Sequence, residues 1–279
     1  MRNVIFGTDV TLPLPPASLR LMRDSDERFT EHGIQLAELV YRLGLQDDQE
    51  LLDVGCGVGR LAVGLLAGTS FAGRYVGFDV MPKQVGWARR HLTPVAPNFR
   101  FRHVDVRNDR YNPTGTVDPR ELRFPARTGG FHMATLFSIF THFYKEDIEL
   151  YLRELRRVLR PGGTVIASWF LYDDDNLDHV VSSGAYPMTH RLDDVTIYND
   201  ADDPLRAIAF HERHVREMIA AAGFELVAIE HGTWKGGPGP EFQDHLVLRQ
   251  PPRPADPPAP TRSFASRVRG RLARALGSR

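Results

Sequence analysis

Asp53, Gly55, Gly57 and Gly59 fall at alternate positions directly behind the apolar pair Leu51 and Leu52. About twenty residues further on, the apolar run from Tyr75 to Phe78 ends in a second acid, Asp79. Glycines at such spacing let a ligand lie against bare main chain, because no Cβ stands in the way. A carboxylate at the end of the next strand is placed to accept hydrogen bonds from ribose hydroxyls. Each piece alone has a plainer role, the glycines as turn formers and Asp79 as a helix cap. Their succession at the ends of strand-like runs points to an adenosine-containing ligand bound at the edge of a parallel sheet.

The glycine spacing selects the ligand. A dinucleotide loop places glycines first, third and sixth. Here the sixth position is Arg60, and the third glycine comes early, at Gly59. Asp53, two residues before the first glycine, would repel a pyrophosphate and suits a ligand with a cationic amine. S-adenosylmethionine has that amine and no phosphate.

On these residues the chain resembles the class I S-adenosylmethionine-dependent methyltransferases, closely over about residues 51–171 and more loosely over 210–248. The resemblance implies that Asp53, Gly55, Cys56, Gly57, Gly59 and Arg60 surround the methionine portion of the cofactor. Asp79 with Val80 would hold the ribose, and Asp105 with Val106 would lie near the adenine amine. Phe137 and Ser138, after the fourth strand, would lie near the transferred methyl group. Tyr111-Asn112-Pro113 with Gly115, followed by the loop of residues 138–142, is similar to a bacterial subset of the family.

Methyl transfer by direct displacement needs alignment above all, and a base only where the acceptor must lose a proton. His142 is the candidate base for an acceptor hydroxyl, because its pKa range suits that work. The alternative is a histidine that bonds the backbone and fixes its loop. The loop lacks the Asn-Pro-Pro-Tyr or Asp-Pro-Pro-Tyr signature of amide and base N-methyltransferases. Phe137 and Ser138 are not metal ligands, and the consecutive acids Asp173, Asp174 and Asp175 lack partners at fixed spacing, so no metal is expected. Cys56, the single cysteine, reads as a small packing residue.

The elements that must position these groups alternate. Strand-like runs fall at 50–54, 75–78, 99–104, 132–137 and 164–171, with helical runs at 61–66, 82–91 and 146–160. The last repeats Ile148, Tyr151, Leu152, Leu155, Val158 and Leu159 along one apolar face and stops at Pro161-Gly162-Gly163. Helix is also expected from about 26 to 43, with a break at Gly33, and over 210–222. Two closing strands, 224–229 and 242–248, are too close together for a crossover and must pair antiparallel. The expected fold is an α/β, Rossmann-like doubly wound sheet of seven strands, mostly parallel, with an antiparallel final strand and variable substrate-cap insertions.

The expected organisation is an N-terminal cap segment (1–44), a methyltransferase domain (45–250) with a cap insertion at about 172–209, a proline-rich linker (251–261) and a basic amphipathic helix (262–279). The segments 107–128 and 172–209 would form the acceptor pocket. Lysines and arginines balance the acids at 35 each, yet seven arginines and one acid lie after Gln250. A mildly acidic body argues against a nucleic-acid groove, and a basic amphipathic tail suits an anionic membrane surface. No run is long enough to span a membrane and no signal-peptide pattern opens the chain, so the expected location is cytoplasmic, with the tail peripheral on the inner membrane face. Arginine so outnumbers Lys83, Lys145 and Lys235 that a GC-rich bacterial source fits. The expected activity is methylation of a small-molecule or glycan or glycolipid acceptor on a hydroxyl. An NAD-linked oxidoreductase and a non-catalytic S-adenosylmethionine-binding protein are the alternatives.

Overall fold

A computed structural model describes residues 4–182 and 186–252. The linker from residue 253 on and the helix expected over 262–279 lie outside the described residues. After an irregular N-terminal segment come α1 (Asp26–Arg42), β1 (Glu50–Val54), α2 (Arg60–Gly68), β2 (Arg74–Asp79), α3 (Pro82–Val95), β3 (Phe99–His103), β4 (Phe131–Leu136), α4 (Lys145–Val158) and β5 (Leu159–Trp169). The chain then forms β6 (Leu171–Tyr172), α5 (Leu177–Ser182), β7 (His190–Asp193), β8 (Thr196–Tyr198), β9 (Ile208–His211), α6 (Glu212–Ala221), β10 (Glu225–Glu230) and β11 (Asp244–Arg249).

Seven strands form one sheet in the order β10-β11-β5-β4-β1-β2-β3. Only β11 runs against its neighbours, pairing antiparallel with both β5 and β10. This is the mostly parallel Rossmann-like sheet with one antiparallel strand that the alternation predicts. Side chains alternate across it. Leu52 and Val54 pack with α4 and α6 on one face, whereas Leu51 packs with α1, α2 and α3 on the other. Asp53, next along β1, shares the face of Leu51.

Local differences from the expected elements have packing causes. Helix α1 does not break at Gly33. It runs unbroken, capped by the Ser25 hydroxyl, which accepts from the Arg28 N–H. Gly33 is instead where α1 crosses α2: a Cβ on Gly64 would stand 1.8 Å from the Gly33 carbonyl oxygen. Phe210 and His211 belong to β9, and α6 starts at Glu212 with the His211 ring accepting from the Arg213 N–H. The Pro161-Gly162-Gly163 turn is drawn into β5, and α4 ends two residues before the expected 160. Between β3 and β4 the only described helical turn is Pro119–Glu121.

Between β5 and α6 the chain builds a second sheet, β6-β9-β8-β7. Its apolar cluster includes Phe170, Val180, Met188, Ile197 and Trp234. Asp244, fully buried, joins it to the main sheet. One carboxylate oxygen accepts from the Leu171 N–H (2.8 Å) and the Trp234 indole N–H (2.7 Å), and the other from the Gly232 N–H (2.9 Å).

Candidate active site

The glycine loop after β1 is fastened to β2. The N–H groups of Gly55 and Cys56 both donate to the Phe78 carbonyl, at 2.9 and 3.0 Å. The Gly57 N–H donates to Asp79 Oδ2 at 2.7 Å, and the Met81 N–H to Asp79 Oδ1 at 2.9 Å. Asp79 therefore shapes the loop as well as facing the cavity beside it, and its burial raises its pKa. Gly57 has φ +53°, and a Cβ there would meet nothing within 4 Å, so the main chain is open for a ligand to approach.

A cavity of about 240 Å³ opens at this end of the sheet. Of the residues expected around the cofactor, Gly55, Gly57, Asp79, Val80, Val106, Phe137 and Ser138 line it, and so does His142. Asp53, Cys56, Gly59, Arg60 and Asp105 do not, and each is held elsewhere for a visible reason. Asp53 lies under the loop and accepts from the Tyr75 hydroxyl and from Thr135 Oγ1 at 3.0 Å; burial pushes its pKa up to about 7. The Cys56 thiol is buried, with its pKa raised by burial and by the nearby acids. Gly59 begins α2 with φ +90°. Arg60 turns away to α1, bonding the His32 ring and pairing with Asp24 at 3.1 Å. Asp105 ties down its own loop, accepting from Asn112 Nδ2 and from the N–H and hydroxyl of Thr116.

The loop after β4 closes the cavity. Ser138 takes a left-handed conformation, φ +55°, with its N–H donated to Ser168 Oγ at 2.6 Å and its hydroxyl to Gln243 Oε1 at 3.0 Å. Ile139 follows and sits directly on Gly55, where a Cβ would lie 2.0 Å from its Cδ1. His142 packs edge-on to Tyr111, with ring centres 6.2 Å apart. Its Nδ1 is 2.9 Å from the Leu205 carbonyl oxygen. A carbonyl can only accept, so Nδ1 carries the proton and the neutral ring keeps a lone pair on Nε2. Burial, with the Arg110 charge nearby, lowers the His142 pKa.

Sequence reasoning missed the part of the wall that α4 supplies. Tyr144, Asp147 and Tyr151 all line the cavity. Their spacing of three and four residues places them on one helix face. Tyr151 repeats in sequence with the apolar core face, and it stands at that face's border with the cavity. Leu205, from the second sheet's connection, also lines the wall. Asp173 acts as a turn residue, accepting from the N–H groups of Asp175 and Asn176. Among the described residues no group of His, Cys, Asp or Glu side chains is placed to hold a metal ion, and no helix is long and apolar enough to cross a membrane.

Residues 29–229 match the family model described as a methyltransferase domain. The chain belongs to the methyltransferase-domain family. Its cofactor is S-adenosylmethionine, and the open main chain at Gly57 beside the Asp79 carboxylate fits it. The NAD-linked alternative is thereby set aside. The chain is similar to a sterol 24-C-methyltransferase of Gibberella zeae, 27% identical over 194 residues that cover 68% of this chain and 43% of that one. It is similar to a sterol 24-C-methyltransferase of Aspergillus fumigatus, 26% identical over 145 residues covering 50% and 34%. This methyltransferase chain thus spans less than half the length of those relatives. Among solved structures, the fold is shared with the Burkholderia thailandensis 1,6-didemethyltoxoflavin-N1-methyltransferase, determined with its acceptor and S-adenosylhomocysteine (20% identity, 81% of each chain, TM-score 0.50). A methyltransferase of Aquifex aeolicus also shares it (15% identity, 85% of this chain and 100% of that one, TM-score 0.51).

Proposed function

We propose that this methyltransferase moves a methyl group to a hydroxyl of a small-molecule acceptor, with His142 as the general base. The observation that carries the reading is the bond from His142 Nδ1 to the Leu205 carbonyl, on a ring that lines the same cavity as Gly57 and Asp79. That bond fixes the tautomer whose Nε2 can take a proton. A hydroxyl must shed its proton as its oxygen is alkylated, whereas a neutral amine or an alkene has no such need at the moment of attack. The sterol 24-C-methyltransferases and the 1,6-didemethyltoxoflavin-N1-methyltransferase named above act by name on carbon and nitrogen.

The cofactor, when bound, supplies a methyl group on a cationic sulfur. Gly55, Gly57, Asp79, Val80, Val106, Phe137 and Ser138 are the residues that would hold it, and Asp79 is positioned for ribose hydroxyls once its bonds to the loop N–H groups are shared. Ile139 and Leu205 narrow the cavity and limit water beside the reacting groups. His142→Ala should retain S-adenosylhomocysteine binding by calorimetry while losing turnover. Near-normal turnover in that variant would leave the ring only a loop-fixing role.

A glycan or glycolipid acceptor remains within this proposal, as does a location in the cytoplasm with the basic tail on an anionic membrane. The charge asymmetry after Gln250 supports the tail reading. Equal flotation on anionic liposomes by the full chain and by a chain ending at Gln250 would end it.

A further inference from the structure

The acceptor side of the cavity carries charges of both signs. Among the described residues Asp109 and Asp147 line it together with one cation, Arg107. The neighbouring Arg110 is committed to an ion pair with Asp203 and lies over the Tyr111 ring, 5.6 Å from its centre. Among the described residues Asp147 has no cationic partner. The rings of Phe143, Tyr144 and Tyr151 line the same cavity, and the Asp147 charge acts on both tyrosines. Aromatic faces carry negative potential, and an enclosed carboxylate among them makes a box that attracts a cation.

A simpler role for Asp147 is to cap α4, and its carboxylate does accept from the Tyr144 N–H. The positive end of a helix lowers the pKa of an acid that only caps it. Asp147 shifts the other way, because burial and the charge of Glu146 outweigh the cap, with Asp109 adding to the same effect. Glu146, beside it in sequence, is exposed and has water for company.

We propose that the acceptor carries an ammonium group, which Asp147 pairs with beside the rings of Tyr144 and Tyr151. The substrate class is then a small amino alcohol, phenolic alkylamine or amino sugar. Its protonated amine is not a nucleophile, so the amine anchors the molecule and a separate hydroxyl faces His142. This inference rests on the reading of the cavity as the methyl-transfer site. The cofactor's own cationic sulfur is the competing occupant, and the test separates the two.

The test uses the full chain loaded with S-adenosylhomocysteine and three phenols that differ only in the charge of a short side arm: tyramine, 4-ethylphenol and 3-(4-hydroxyphenyl)propionate. Dissociation constants are read by ligand-observed NMR. Tyramine should bind at least about fivefold more tightly than 4-ethylphenol, and the propionate should bind most weakly. Asp147→Asn, which keeps a capping oxygen, should erase the tyramine advantage and leave 4-ethylphenol unchanged. Glu146→Gln, which removes the same charge from the exposed side, should leave the tyramine advantage intact. Equal binding of the three probes, absence of probe binding, or an order that survives Asp147→Asn would overturn the inference. It would also fall if Asp147→Asn altered only the ratio of S-adenosylmethionine to S-adenosylhomocysteine affinity, because the carboxylate would then serve the sulfonium. Failure of S-adenosylhomocysteine to bind at all would overturn the methyl-transfer reading itself. Normal cofactor binding with no charge preference overturns this inference alone.

Discussion

The Leu205 carbonyl holds the Nδ1–H of His142 at 2.9 Å, so a turn in the second sheet's connection decides which nitrogen of a residue in the loop after β4 is free to act as a base. Removing the ring should cut kcat by about 10²- to 10⁴-fold, the usual contribution of a general base. S-adenosylhomocysteine affinity should stay within about twofold, since the carbonyl and the glycine loop are untouched. Because burial holds the His142 pKa below its ordinary value, the unprotonated base persists into mild acid. The acid limb of the kcat profile should therefore have its midpoint below pH 6.5 in the wild type and vanish in His142→Ala. Rapid-quench methyl-transfer kinetics across pH 5 to 8 measure both.

The crossing of α1 and α2 gives a second prediction, with a sign opposite to helix propensity. Glycine to alanine inside a helix ordinarily stabilises by about 1 kcal/mol. At Gly64 the new Cβ would meet the Gly33 carbonyl and the Ile34 nitrogen, which are main-chain atoms that cannot swing aside. Gly64→Ala should destabilise by about 2 kcal/mol or more, measured by urea unfolding. A stabilised Gly64→Ala variant would show that the helices can separate at no cost.

That crossing also shows what the sequence could convey. Gly33 was visible as a glycine in a helical run, and local propensity reads such a residue as a break. Its partner Gly64 lies thirty-one positions away, and nothing local says the two meet. The glycine loop, Asp79 and the strand succession were legible because their logic is local: a strand, a turn without Cβ, and an acid at a strand end. Arg60 and Asp105 have partners that were hidden for the same reason as those of Gly33. Each stands where a ligand contact would stand in sequence, and each is drawn to a partner that only the fold supplies, His32 with Asp24 for one and Thr116 for the other. Tyr151 fitted the period of the core face, and only the course of the chain between β3 and β4 leaves it a cavity to face.

Asp244 joins the two sheets, and its loss should be felt in both. With the carboxylate gone, the Leu171 and Gly232 N–H groups and the Trp234 indole lose a shared acceptor in a site without solvent. Asp244→Ala should cost about 3–5 kcal/mol of stability. Asp244→Asn, which keeps one accepting oxygen, should cost less. Trp234 fluorescence should shift to the red in the alanine variant before global unfolding, as the second sheet's cluster loosens. Coincident transitions for Trp234 and far-UV circular dichroism, at wild-type stability, would contradict this role.

Two buried groups on one face of the sheet should make stability respond to pH in opposite senses. His245 lies opposite Ser168 across the β5–β11 pairing, with its ring edge-on to Phe137 and its buried Nδ1 without a hydrogen-bond partner among the described residues. Burial lowers its pKa to about 4. Between that value and 6.5 the unfolded chain binds the proton that the native ring refuses. Its contribution to stability is therefore complete above pH 6.5 and falls by about 3 kcal/mol as the pH drops to 4. Asp53 does the reverse. Burial raises its pKa to about 7, so the native state holds a proton that the unfolded state has lost. Its contribution is complete below the ordinary carboxylate pKa and falls by about 4 kcal/mol as the pH rises through 7. Between pH 4 and 6.5 the two slopes oppose, so removing either group should expose the other. Relative to wild type, Asp53→Asn should make stability climb more steeply with pH over that window, because it removes the falling contribution. His245→Gln should make stability fall more steeply with rising pH. Guanidinium unfolding of the three proteins at half-unit steps from pH 4 to 7.5 gives the differences directly, and parallel curves for all three would show that neither group titrates in the folded protein as its burial requires.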